Sequence, residues 1–197
     1  MGVGMGDEAA DAPPPPKVSG VAETSGAFAA QRGGAALPGV IRGARLLLVA
    51  LWVGAAFFFS FVVAPTAFAV LPQRELAGAV VTRTIAVVNV GGFIVGLAAL
   101  ALGFVGSEGA ARRRGRARLF EAVALALVAT SCGVGHWAVS ARMLALRAAM
   151  GRPIDAVAAN DPLRAAFNSL HGYSVGLMTV AMLSGVVALL LIGRRKN

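Results

Sequence analysis

Residues 165–193 read AAFNSLHGYSVGLMTVAMLSGVVALLLIG, 29 positions without one formally charged side chain. As a helix rising 1.5 Å per residue, the stretch reaches about 44 Å, more than the roughly 30 Å hydrocarbon core of a bilayer. A water-facing helix would carry a polar stripe, and none is visible here. The stretch therefore predicts a membrane-spanning helix. It also holds His171, one to two turns inside the apolar run.

The composition of the chain agrees. Of its 197 residues, 57% are hydrophobic and 14% charged, against roughly 25% charged in a soluble domain. Mean hydropathy is +0.76. A net charge of +9 would suggest nucleic acid in a soluble chain. Between apolar spans, arginine clusters instead carry the topology signal of positive cytoplasmic segments. The expected partner is the lipid bilayer, not nucleic acid. Cys132 is the single cysteine, so no intramolecular disulfide can form.

The remaining chain divides into a tail and three further spans. Residues 1–37 are rich in Gly, Ala and Pro, with Pro13 to Pro16 in a row and no apolar periodicity. Such a segment buries too little surface to repay its ordering entropy, and the expectation is a disordered tail without a secretory signal. Residues 38–197 are expected to form an all-α four-helix transmembrane bundle, with spans at about 44–70, 84–106, 119–141 and 168–192. Pro65 should kink or end the first helix, because its ring removes a backbone donor and crowds the preceding turn. In the second, Asn89, Gly92, Gly96 and Gly103 share one face. Gly92-x-x-x-Gly96 is a small-residue pattern that lets helix backbones approach in lipid, and Gly172-x-x-x-Gly176 in the fourth is another. Both are candidate faces for a homo-oligomer. Gly151 and Pro153 should stop the third helix, with Asp161 as N-cap and Pro162 as first residue of the fourth.

Four spans set the orientation. Twelve of the 18 Lys and Arg then fall on one side: Lys17, Arg32, Arg42 and Arg45 before the first span, five Arg between residues 112 and 118, and Arg194, Arg195 and Lys196. Both termini should be cytoplasmic.

Three polar residues come to similar depth in this topology, near the outer face: Asn89, His136 and His171. Polar groups in lipid are costly and usually face the bundle interior. Two readings stay open. The histidines could bind jointly, as axial ligands of a haem b iron or as copper ligands with Met178 or Met182, with Asn89 behind them. Alternatively each fixes helix packing by hydrogen bonding across the bundle, to Asn89, Ser140 or a backbone carbonyl. Trp52 should pack inside the bundle, whereas Trp137 and Tyr173 read as interface anchors. Glu121 sits at the inner end of the third span and should pair with Arg118 or a neighbour. No nucleotide, kinase or hydrolase signature is present, and no carboxylate stands mid-span, which argues against a carboxylate-based pump.

LLLVALWVGAAFFFSFVVAPTAFAVLP at residues 46–72, RTIAVVNVGGFIVGL at 83–97 and FNSLHGYSVGLMTVAMLSG at 167–185 resemble the transmembrane protein 205-like family, known in bacteria as domain of unknown function 4149. Trp52-x-Gly54, the following Phe run, Pro65 and His171-Gly172 carry the resemblance, which covers about residues 41–193. It implies a small four-helix membrane protein of the bacterial inner membrane without an established activity. The family is also distantly similar to copper-resistance D-type membrane proteins and to a haem-binding four-helix protoporphyrinogen oxidase. That similarity implies the alternatives of metal handling, electron transfer or porphyrinogen oxidation.

Overall fold

The computed structural model describes residues 1–2, 20–105 and 115–194, with side chains over 1–2, 39–105 and 115–194. The chain divides into two units, Met1–Leu37 and Pro38–Asn197. Residues 3–19 of the expected tail lie outside the described residues, and from Gly20 the backbone is helical. Six of residues 20–37 are alanine, the strongest helix former.

The second unit carries four helices long and apolar enough to cross a membrane: Gly39–Val70, Arg74–Val105, Gly115–Met150 and Pro162–Gly193. The chain is a multi-pass membrane protein built as an all-α bundle, with no strand among its described residues. At 32 to 36 residues each span exceeds the roughly 30 Å hydrocarbon core, so it tilts or projects into the headgroups.

The first span takes the part of α1 (Gly20–Phe58) from Gly39 onward, a π-helical turn (Phe59–Val63) and α2 (Ala64–Val70). Pro65 neither ends nor simply kinks the helix. Its missing donor and crowded ring sit in the first turn of α2, and the chain widens just before it, with the Ala64 N–H donating to Phe59 O. Leu71 is extended ahead of Pro72, which closes the span. The second span is α3 (Arg74–Val105).

The third span is α4 (Gly115–Gly133), a second π-helical segment (Val134–Ser140) and α5 (Ala141–Met150). Gly151, at φ 62°, ends it in the left-handed conformation that glycine adopts freely. A short 3₁₀ turn (Ile154–Ala156) leads to α6 (Pro162–Gly193), where the Asp161 carboxylate accepts from the Leu163 N–H at 2.8 Å. The stop at Gly151 and the start at Asp161-Pro162 are as expected.

The connections at 71–73 and 151–161 share one end of the bundle, here called the loop end. There Met150, Val157 and Phe167 form a small apolar cap. The Arg147 guanidinium lies 5.1 Å over the Phe167 ring, and Arg74 approaches Asp155 at 3.8 Å.

The main core forms where small residues let backbones close. A Cβ on Gly92 would stand 2.6 Å from Trp52 Nε1 and 2.6 Å from Cys132 Sγ. One on Gly96 would meet Ala129 Cβ at 3.0 Å, and one on Gly185 would meet Val53 Cγ2 at 2.6 Å and Trp52 Cζ3 at 3.2 Å. The Trp52 indole thus fills a slot between glycines of the second and fourth spans, and its Nε1–H donates to Val88 O at 2.9 Å. In lipid, where apolar burial drives little association, such close packing supplies the cohesion.

Candidate functional site

Two groups of polar residues stand along the bundle, one from its middle toward the loop end and one toward the opposite end. Asn89 stands midway along α3, fifteen residues after Arg74, and is buried, with Nδ2 3.3 Å from where a Gly135 Cβ would be. Gly135, His136 and Ser140 lie in the π-helical segment of the third span, and Ser140 Oγ donates back five residues to Gly135 O at 2.9 Å. The widened turn seats Gly135 against Asn89, and Gly133 just before it against the Phe93 ring. A π-turn inside an α-helix often marks a functional position.

His136 is half-buried, edge-on to Trp137 with ring centroids 5.0 Å apart. Its Nδ1 is buried and has no hydrogen-bond partner among the described residues. His171 is exposed. It lies seven residues before Met178, so it continues the helix face that Met178 and Met182 bury in the core. Ser60 Oγ of the first span donates to Met182 Sδ of the fourth at 3.9 Å, from the π-turn that precedes Pro65. No hydrogen bond joins Asn89, His136 and His171. Among the described residues, no three His, Cys, Asp or Glu gather to hold a metal ion.

The group at the opposite end has a different partner from the one expected. Glu121 pairs with Arg45 of the first span, not with Arg118 beside it: Arg45 Nη2 donates to Glu121 Oε1, and Arg45 Nε donates to Ala99 O of the second span at 2.8 Å. Both residues are 4% exposed. A Cβ on Gly103 would stand 2.9 Å from Arg45 Nη2, so that glycine opens the space the guanidinium fills. Just outside, Arg42 Nη2 donates to Gly193 O at 3.1 Å and closes the end of α6.

A family model described as Domain of unknown function (DUF4149) matches residues 47–152, more than half of the chain. The chain belongs to this family. No curated protein and no solved structure matches it. The DUF4149 match takes in Trp52, Asn89, Gly92, Glu121, Cys132 and His136, and it stops short of Arg45 and His171.

Sequence reasoning singled out Asn89, His136 and His171 of this DUF4149 chain but missed the Arg45–Glu121 pair. A signal existed. Arg45 and Glu121 each stand six residues into their spans, and the first and third spans run in the same direction. Opposite charges at equal depth in parallel helices can meet. Reading Arg45 only as a flanking topology residue hid that pairing.

Proposed function

We propose that this DUF4149 chain is a ligand-binding membrane protein without a catalytic role, and that its site is the polar cluster of Asn89 and His136. One observation carries the reading: the buried, unpartnered Nδ1 of His136 in a π-helical turn. A buried polar atom left without a partner costs about 1–3 kcal/mol, so a histidine retained only for packing should be paired. Asn89 packs against Gly135, and the open imidazole nitrogen of His136 is the group a ligand would engage.

Stability measurements separate the roles. His136→Leu in ligand-free protein should leave the melting temperature unchanged or raised if His136 serves a ligand. A fall of several degrees would show that the imidazole is a packing element and would overturn the proposal.

A second reading, haem b or copper held by His136 and His171, is favoured by the same open Nδ1. In it the two imidazoles are the ligands and Asn89 stands behind. A Soret band or stoichiometric copper in detergent-purified protein, lost in His136→Ala and His171→Ala, is its expected result. Signals unchanged in both variants would remove it.

The charge distribution supports cytoplasmic termini, with the loop end outside, in a bacterial inner membrane. Single-cysteine accessibility at position 158 against position 43 tests the orientation, with the first expected to label from outside. The exposed faces of Gly172 and Gly176, which no side chain among the described residues covers, support a second copy packing there.

A further inference from the structure

A groove of about 350 Å³ follows the seam between the third and fourth spans near the loop end. Val134, Ala138 and Arg142 line one side, and Leu170, Tyr173 and Leu177 the other. We propose that it binds an anionic phospholipid, with one acyl chain along the seam and the phosphate against Arg142.

The lining sets the chemistry of the occupant. Apart from Arg142 and the Tyr173 hydroxyl, the lining named is apolar. The three positions on the third span recur every four residues, so they form a continuous strip about 12 Å long. Its volume lies in the range of small-molecule sites, roughly 300–1,000 Å³. Most of the strip is the π-helical segment Val134–Ser140, whose widened turn re-aims the side chains that follow it.

Charge selects the head group. Arg142 is exposed, two residues beyond the π-segment, and has no hydrogen-bond or ion-pair partner among the described residues. The nearby carboxylates are engaged elsewhere: Asp155 faces Arg74, and Asp161 caps α6. The groove lies within the spans and opens to the side, where Tyr173 is 67% and Val134 43% exposed. Its occupant therefore comes from the bilayer, and a guanidinium near the headgroups favours a phosphate without a neutralising choline. An arginine that merely anchors the helix at the interface would hold no single lipid through detergent washing. The groove is independent of the proposed role of His136.

Native mass spectrometry of the full chain, given equal phosphatidylglycerol, phosphatidylcholine and oleic acid, tests this. The expected result is one retained phosphatidylglycerol. Arg142→Gln should lower that retention roughly tenfold, the loss of one charged hydrogen bond. Ala138→Phe, which fills the groove, should lower it similarly, and Arg152→Gln, an exposed loop arginine, should not. Leu170→Ala stands in for Ala138→Phe if the larger side chain prevents folding, and should weaken retention. Equal retention of phosphatidylcholine, preference for oleic acid, or undiminished phosphatidylglycerol binding by Arg142→Gln would overturn the assignment.

Discussion

Arg45 of the first span and Glu121 of the third meet inside the bundle, each with a side chain only 5% exposed. A buried charge is costly to leave unpaired, so the contribution of the pair depends on both partners being present. Removing Glu121 alone leaves a buried guanidinium with its Nε bond to Ala99 O. Breaking such a pair by removing one partner costs about 3–5 kcal/mol, while replacing both with well-packed apolar residues is often neutral. Glu121→Ala should therefore strongly lower the midpoint of detergent-induced unfolding. The double variant Arg45→Met, Glu121→Leu should recover most of the loss. A double variant as unstable as the single one would mean that the pair itself, not the uncompensated charge, dominates.

The glycines divide into two groups with opposite expected behaviour. Gly92→Ala puts a methyl group 2.6 Å from Trp52 and Cys132, three spans converging on one point. Overpacking of this kind costs about 1–3 kcal/mol. Gly172→Ala and Gly176→Ala enter open space, and an alanine in mid-helix is favoured over glycine by roughly 0.5–1 kcal/mol. In monomeric, detergent-solubilised protein the first substitution should lower the melting temperature, and the other two should hold or raise it. Equal losses at all three positions would contradict the packing described.

How far the sequence anticipates this depends on whether a feature is local. The four spans, the stop at Gly151 and the start at Asp161-Pro162 follow from runs of apolar residues and from backbone rules acting over a few positions. The face of Asn89, Gly92 and Gly96 is also local, a matter of helical spacing, and it does turn inward. The two small-residue patterns look alike as sequence, yet Gly92 and Gly96 are packed and Gly172 and Gly176 are bare. What separates them is the neighbour that arrives, Trp52 and Ala129 in one case and none in the other. The π-turn at Phe59–Val63 has a sequence cue in Pro65, but the one at Val134–Ser140 has no proline and follows from seating Gly133 and Gly135 against the second span. The Arg45–Glu121 pair likewise needs the relative placement of three helices.

The two tryptophans report on opposite environments. Trp52 is 6% exposed with its Nε1–H bonded to Val88 O, whereas Trp137 is 55% exposed beside Phe93. In vesicles containing brominated phospholipid, quenching should fall mainly on Trp137. Trp137→Phe should leave a weakly quenched emission from Trp52, and Trp52→Phe should leave a strongly quenched one. Comparable quenching in the two variants would place Trp52 at the lipid surface and undo the slot between Gly92 and Gly185.

Cys132 turns the stability of this core into a rate. It is the single thiol in the chain and 1% exposed, with Sγ against the position of Gly92. A maleimide can reach it only when the bundle opens, so in the regime of fast reclosing its labelling rate follows the opening equilibrium. Folded wild-type protein should label slowly and in full only after denaturation. If Glu121→Ala destabilises by about 3 kcal/mol, labelling should accelerate on the order of a hundredfold, since each 1.4 kcal/mol is a factor of ten. Ala158→Gly, in the exposed loop, should leave the rate unchanged. A Glu121→Ala protein that labels at the wild-type rate would mean that the Arg45 end of the bundle opens without exposing its centre, and the two regions would then be separate cooperative units.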